Sequence, residues 1–304
     1  MILSPTLGLL LVLSCCCCSN ALIELSEQYL NDIKLDQAAD QADYNYDHQG
    51  DDWDGLCQTG KRQSPIVLNR FDTVPGKVPR LRFLNYDSDL QTPLVLMNNG
   101  HTANLVIPPT RNGQRPIVTG GLLPGSFEAQ SMHFHWGSEN SSGTEHIILD
   151  LRDIAQVEVH IVHKNIRYKT VAEASMHPDG LAVLAVLIRS SRSPMTSSNN
   201  LVKIFNRVPR IVRYGTNVTI TGKLTAENLM GDIVTGQFFT YNGSLTTPDC
   251  AEAVTWVVFP QIVNIYYRIV ERLYNLRDSR SKPLINNYRS IQDTNGRPVY
   301  YRNL

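Results

Sequence analysis

The chain has 304 residues, 42% of them hydrophobic and 18% charged, which is enough apolar mass for one large or two smaller domains and too much for wholesale disorder. Lys plus Arg and Asp plus Glu both number 28, so the formal net charge is zero. That leaves no electrostatic footprint for nucleic acid or a membrane surface as partner. The balance is uneven, however: between Glu24 and Asp54 acidic residues dominate and Lys34 is the only Lys or Arg, the pattern of a solvated arm.

In chain order, the first segment is Leu7 to Leu13 (LGLLLVL), followed by the small residues Ser19 and Ala21. This resembles a secretory signal peptide over residues 1–21, although no Lys or Arg precedes the apolar run. The run falls short of the roughly 20 apolar residues a membrane span needs. Cys15 to Cys18 are expected to leave with the signal, a lipidated anchor being the alternative, and only Cys57 and Cys250 of the six cysteines would then remain. In an exported protein they are a candidate disulfide pair, with two separate thiols as the alternative. A bridge would close a loop of about 190 residues, worth ~4–5 kcal/mol by loop entropy. No apolar tail follows at the C-terminus, so no lipid or helical anchor is expected there.

Residues 22–43 have weak helical character and form the acidic lead-in. From Tyr44 to the C-terminus no linker, low-complexity break or fixed-period repeat appears, which predicts one domain over 44–304. Short stretches dominate it: Leu105-Val106-Ile107 before Pro108-Pro109, an alternating Val157 to Val162 (VEVHIV), and Val254 to Phe259 (VTWVVF). Leu181 to Ile188 (LAVLAVLI) is continuously apolar, as in a strand covered on both faces. The best helical pattern is Ile262 to Asn275. The fold class is therefore β-dominated α+β with short peripheral helices.

Residues 132–136 read Met-His-Phe-His-Trp. On a strand, His133 and His135 share one face and Phe134 takes the other. A second strand carries Glu158 and His160, again on one face. Side by side, these strands bring three imidazoles to one point, and three neutral nitrogens plus a water make the open tetrahedral zinc site used in catalysis. His133 and His135 alone would equally suit packed core histidines; the distant Glu158-x-His160 strand makes the pattern more specific. Glu158 is a candidate acceptor for a ligand's second N–H.

SMHFHWGSENSSGTEHIILD and VEVHIVH resemble the metal-site core of the α-carbonic anhydrases. WDGLCQTGKRQSPI (53–66), NNGHTANL (98–105), YNGSLTTPDCAEAVTW (241–256) and NNYRSIQ (286–292) resemble further segments of that family, in the right order. The resemblance implies a single domain built on a large twisted, mainly antiparallel sheet, a Zn²⁺ cofactor held by His133, His135 and His160, and CO₂ and bicarbonate as substrates. Zinc hydroxide would attack CO₂, with Thr246 accepting its hydrogen bond and donating to Glu145. The Thr246 N–H would meet a substrate oxygen, beside Thr247. His101 matches the proton shuttle, served by water ordered by Tyr46, Asn99 and Asn104. Val162, Val183, Leu245 and Trp256 match an apolar CO₂ wall. Cys57 and Cys250 match the disulfide of secreted members, tethering the Thr246 loop, and the Asn287 carbonyl orients a zinc ligand.

Three departures from the family pattern follow. Ser131 stands where a glutamine usually supports His133, which predicts weaker zinc retention, since Gln130 would point to the other face. The stretch from Glu145 to Glu158 is about two residues longer than usual, an even insertion that keeps side-chain parity. Asn242-Gly243-Ser244 is a sequon expected to be buried, leaving Asn140 and Asn217 as the glycosylation candidates. Two other functions compete: a non-catalytic binding module with an impaired zinc site, and a zinc esterase. A complete ligand set with Thr246, Glu145 and His101 favours CO₂ hydration, and no HExxH motif supports a metalloprotease.

Overall fold

The most apolar run of the chain becomes a strand at the centre of its main sheet. In the computed structural model, which describes residues 44–151, 154–193, 199–231 and 233–303, the strands are β1 (Val67–Leu68), β2 (Leu81–Leu84), β3 (Leu94–Asn98), β4 (Ala103–Val106), β5 (Ile117–Gly120), β6 (Ser126–Trp136), β7 (Ile147–Ile148), β8 (Val157–Asn165), β9 (Leu181–Ser191), β10 (Asn217–Ile220), β11 (Phe238–Gly243), β12 (Val254–Tyr266) and β13 (Tyr300–Arg302). The helices are short: α1 (Leu56–Thr59), α2 (Val171–Ser175), α3 (Asn199–Phe205), α4 (Ala226–Leu229) and α5 (Tyr267–Val270). The expected signal and acidic lead-in lie outside the described residues.

Eleven strands form one sheet in the order β10-β3-β4-β6-β8-β9-β12-β11-β13, with β5 pairing β6 and β2 pairing β5. All its pairings are antiparallel except β9 with β12. The sheet-dominated, mainly antiparallel class expected from the sequence is the class observed. Strand β9 shows why its run is continuous: Ala182, Leu184, Val186 and Ile188 pack into one core cluster, while Leu181, Val183, Ala185 and Leu187 pack into the other. A strand buried on both faces needs apolar side chains at every position.

The predicted helix over Ile262 to Asn275 is corrected at its first half. Strand β12 runs on to Tyr266, pairing Ile262–Tyr266 with Leu187–Ser191 after a register shift between Phe259 and Ile262. Ile262, Val263 and Ile265 are β-branched, and the exposed backbone of β9 offers them a partner that the local period could not reveal. Helix proper occupies only Tyr267–Val270, tightening into a 3₁₀ turn through Asn275.

Candidate metal centre

Strands β6 and β8 are direct neighbours, and their register pairs His133 with His160 and His135 with Glu158. Val157, Val159 and Ile161 face one core cluster, so Glu158, His160 and Val162 face the other side together. The ring centroids of His133, His135 and His160 lie 4.5 to 5.2 Å apart. One nitrogen from each lies within 4.8 Å of the others.

The second nitrogens decide which atoms are free to bind a metal. His135 Nδ1 lies 2.8 Å from the Asn287 carbonyl, which can only accept, so the proton sits on Nδ1 and the lone pair on Nε2. That Nε2 is buried and has no hydrogen-bond partner. His160 Nε2 donates to Glu158 Oε1 at 2.8 Å, which leaves Nδ1 as its ligand atom. Burial, reinforced by the neighbouring imidazoles, holds His133 well below the usual imidazole range; burial lowers His135 as well, against the pull of Glu145. Imidazoles whose tautomers are fixed at His135 and His160, with a buried lone pair at His135, fit a zinc ion, and nothing here resembles the oxygen-rich site a hard cation requires.

His133 differs from its two companions: no hydrogen bond joins it to Ser131 or any other described side chain. The reason Gln130 does not substitute also differs from expectation. A register shift between Ala129 and Ser131 marks a bulge. Phe127 and Ala129 before it, and Met132, Phe134 and Trp136 after it, all belong to the same core cluster. Parity thus changes at the bulge, and Gln130 shares the face of Ser131 instead of lying opposite it. Its amide is spent on Glu128, at 3.1 Å to the carbonyl and 3.3 Å to the carboxylate.

Glu145 reaches the site because its loop folds tightly onto the end of β6. A Cβ on Gly143 would lie 1.7 Å from Gly137 N, so only glycine permits this approach. Glu145 Oε1 accepts from the Arg289 N–H at 2.9 Å, while Oε2 is buried without a partner. The expected Thr246–Glu145 hydrogen bond is not formed in this structure, although both residues are buried. Leu245 packs on the cluster that contains Val162, Val183 and Trp256, so the four apolar residues do converge. Thr247 turns the loop, its carbonyl accepting from Cys250 N–H at 2.8 Å. Cys57 and Cys250 form a disulfide that ties this loop to α1.

His101 follows a turn made by Asn99, whose Oδ1 accepts the N–H groups of His101 and Thr102 at 3.1 and 2.9 Å. Asn104 lies on β4 where the register, extended one step from Leu105 opposite Met132, brings it beside His133. Tyr46 is buried against Tyr44 and Trp53. Asn287 does more than its sequence match implied: its Nδ2 donates to His101 O at 2.9 Å and Phe134 O at 3.0 Å, joining the His101 turn to β6. Asn140 and Asn217 are exposed. Asn242, expected to be buried, is exposed too, while Gly243 and Ser244 of the same sequon are buried.

Sequence reasoning missed His146 and Tyr241. His146 Nδ1 donates to Glu158 Oε1 at 2.6 Å, its N–H to Oε2 at 2.8 Å, and the Tyr241 hydroxyl lies 2.7 Å from its Nε2. Burial would raise the Glu158 carboxyl, but His146 and His160 outweigh it and hold the group below the usual carboxylate range. An anionic Glu158 keeps the His160 proton on Nε2. The only signal in sequence was that His146 directly follows Glu145.

A family model for eukaryotic-type carbonic anhydrase matches residues 48–303. Carbonic anhydrase 6 of Homo sapiens is 38% identical over 250 residues, covering 79% of this chain and 75% of that protein. Putative carbonic anhydrase 5 of Caenorhabditis elegans is 34% identical over 262 residues, covering 85% and 81%. Carbonic anhydrase 15 of Mus musculus is 31% identical over 247 residues, covering 79% and 75%. With its histidine-lined sheet, the chain belongs to the eukaryotic-type carbonic anhydrase family. It is accordingly an enzyme of reversible CO₂ hydration, from a zinc-dependent family. Among the described residues no helix is long and apolar enough to cross a membrane.

Proposed function

We propose that His133, His135 and His160 hold the zinc ion, through His135 Nε2 and His160 Nδ1 and a nitrogen of His133. The carrying observation is the buried, partnerless His135 Nε2, an arrangement that costs ~1–3 kcal/mol unless a ligand satisfies it. Bound zinc lowers the pKa of a coordinated water to about 7 and so supplies the nucleophile for CO₂. The chain's own residues supply the rest. Val162, Val183, Leu245 and Trp256 offer CO₂ an apolar wall with no competing hydrogen-bond donor. Once the Thr246 hydroxyl turns to donate to Glu145 Oε2, it can only accept from the attacking oxygen, which must then carry a proton. The Thr246 N–H and Thr247 flank the product oxygens.

His101 takes the released proton and passes it to buffer, an imidazole being able to do both near neutral pH. Tyr46, Asn99 and Asn104 border that route. Export to an oxidising compartment suits the Cys57–Cys250 disulfide and the apolar N-terminal run, and Asn140 and Asn217 are accessible to glycosylation. Stopped-flow CO₂ hydration with metal analysis tests the reading: one zinc per chain and activity are expected, both lost in His160→Ala. Activity without bound zinc would overturn it.

A further inference from the structure

The formal net charge is zero, but the charge is not spread evenly over the fold. Residues 73–86 carry Lys77, Arg80 and Arg82 and no Asp or Glu. Residues 114–127 and 297–303 add Arg115, Arg297 and Arg302 and again no acid. These three segments meet through the pairing of β2 with β5, the Val74 N–H donating to Val299 O at 2.8 Å, and the Arg302 guanidinium donating to Val78 O. Arg115, Arg297 and Arg302 spend N–H groups on backbone carbonyls. Lys77, Arg80 and Arg82 are exposed, and their charged groups form no hydrogen bond or ion pair with any described residue. On β2, Leu81 and Phe83 turn into the core, so Arg82 turns outward, and Arg80 just before the strand lies in the same row. The two side chains leave the backbone ~6.6 Å apart on one side. With Pro79, Leu81, Thr119 and Gly120 they line a groove of about 460 Å³. The only carboxylate borne by β2, β5 and β6 is Glu128, which Lys164 holds at 2.9 Å.

We propose that Lys77, Arg80 and Arg82 form a docking surface for a sulfated polysaccharide. A guanidinium fork matches the oxygens of a sulfate group and binds them by paired N–H donation. Cations repeated along an extended strand suit a ligand whose anionic groups also repeat along a chain. Exposed Pro79 offers the C–H face of a sugar ring an apolar neighbour. Other polyanions fit less well. The groove has no aromatic side chain on which a nucleic-acid base could stack. Leu84 is the only large apolar side chain exposed on β2, too little to anchor in a lipid surface. The choice of a polysaccharide rests on the export reading, since such chains are met outside the cell. The groove lies roughly 20 Å from the histidine cluster, because Thr119 pairs with Ser126, at the opposite end of β6 from His133 and His135.

The purified full chain is expected to bind immobilised heparin at low ionic strength and to release it steeply as salt screens the cations. Desulfated heparin should not bind. Arg80→Ala/Arg82→Ala should weaken heparin binding about tenfold, with Tm and CO₂ hydration at parental values. Lys77→Glu, in the exposed segment before β2, should weaken it independently of the strand. The charge-matched control Arg207→Ala/Arg210→Ala, on exposed residues elsewhere, should bind as the parent does. Parental binding by the Arg80/Arg82 variant, an equal loss in the control, or tighter binding to anionic phospholipid vesicles or duplex DNA than to heparin overturns the proposal. Release of the chain into culture medium is scored separately. A chain retained in the cell whose heparin binding still depends on Arg80 and Arg82 marks a failure of the export reading and not of the groove.

Discussion

At the scale of single residues, the three clustered histidines are not equivalent. His135 and His160 each spend their second nitrogen on a buried acceptor, Asn287 O and Glu158 Oε1, whereas among the described residues no side chain is hydrogen-bonded to His133. Ser131→Gln should slow zinc loss to a competing chelator about tenfold, measured by colorimetric zinc release; an unchanged rate would sink the idea. A second residue-scale consequence lies on the opposite face of the sheet. His163 Nδ1 donates to Ile161 O at 2.8 Å and Nε2 accepts from the Tyr86 hydroxyl. Burial pushes this imidazole down from 6.5 to about 4. Between those values the unfolded chain binds a proton that the folded chain refuses, so stability falls as pH drops from about 6.5 to about 4 and recovers above it. The loss from this group is about 3 kcal/mol, and urea melts of the parent and of His163→Gln across that range should show the slope shrink in the variant.

At the scale of elements, β6 serves two purposes, and its bulge shifts which residue numbers face which side. Odd-numbered residues face the core before it and even-numbered ones after it, so His133 and His135 join His160 on one face while Phe127 and Ala129 still pack inward. Deleting Gln130 removes the extra residue and restores unbroken alternation, which leaves Phe127 and Ala129 on the core face and His133 and His135 on the other. The deletion variant is therefore expected to keep both zinc binding and a Tm close to the parent's; loss of zinc would show that the bulge itself shapes the site. Legibility from sequence also divides at this scale. The alternation of VEVHIV and the continuous run of β9 are local and readable. The bulge and the extension of β12 to Tyr266 depend on which strand lies alongside, so period alone misassigned both Gln130 and Ile262–Tyr266.

At the scale of the whole molecule, the Cys57–Cys250 bridge spans 193 residues and fastens the loop that carries Thr246 to the start of the domain. Cys250→Ser should cost about 2–5 kcal/mol of stability and, by loosening that loop, lower kcat/KM as well; a variant with parental values in both would deny the bridge either role. By itself the sequence determined the class of fold, the cluster of three histidines, the carboxylate behind His160 and the cysteine pair, because strand parity and motif order are carried by neighbouring residues. Only the tertiary structure decided that His146 and Tyr241 stand behind Glu158, that Asn287 ties the His101 turn to β6, and that Tyr44 stacks on His101. Apart from His146 and Glu158, which are 12 positions apart, those contacts join residues 57 to 186 positions apart, and no local period encodes a partner that far away.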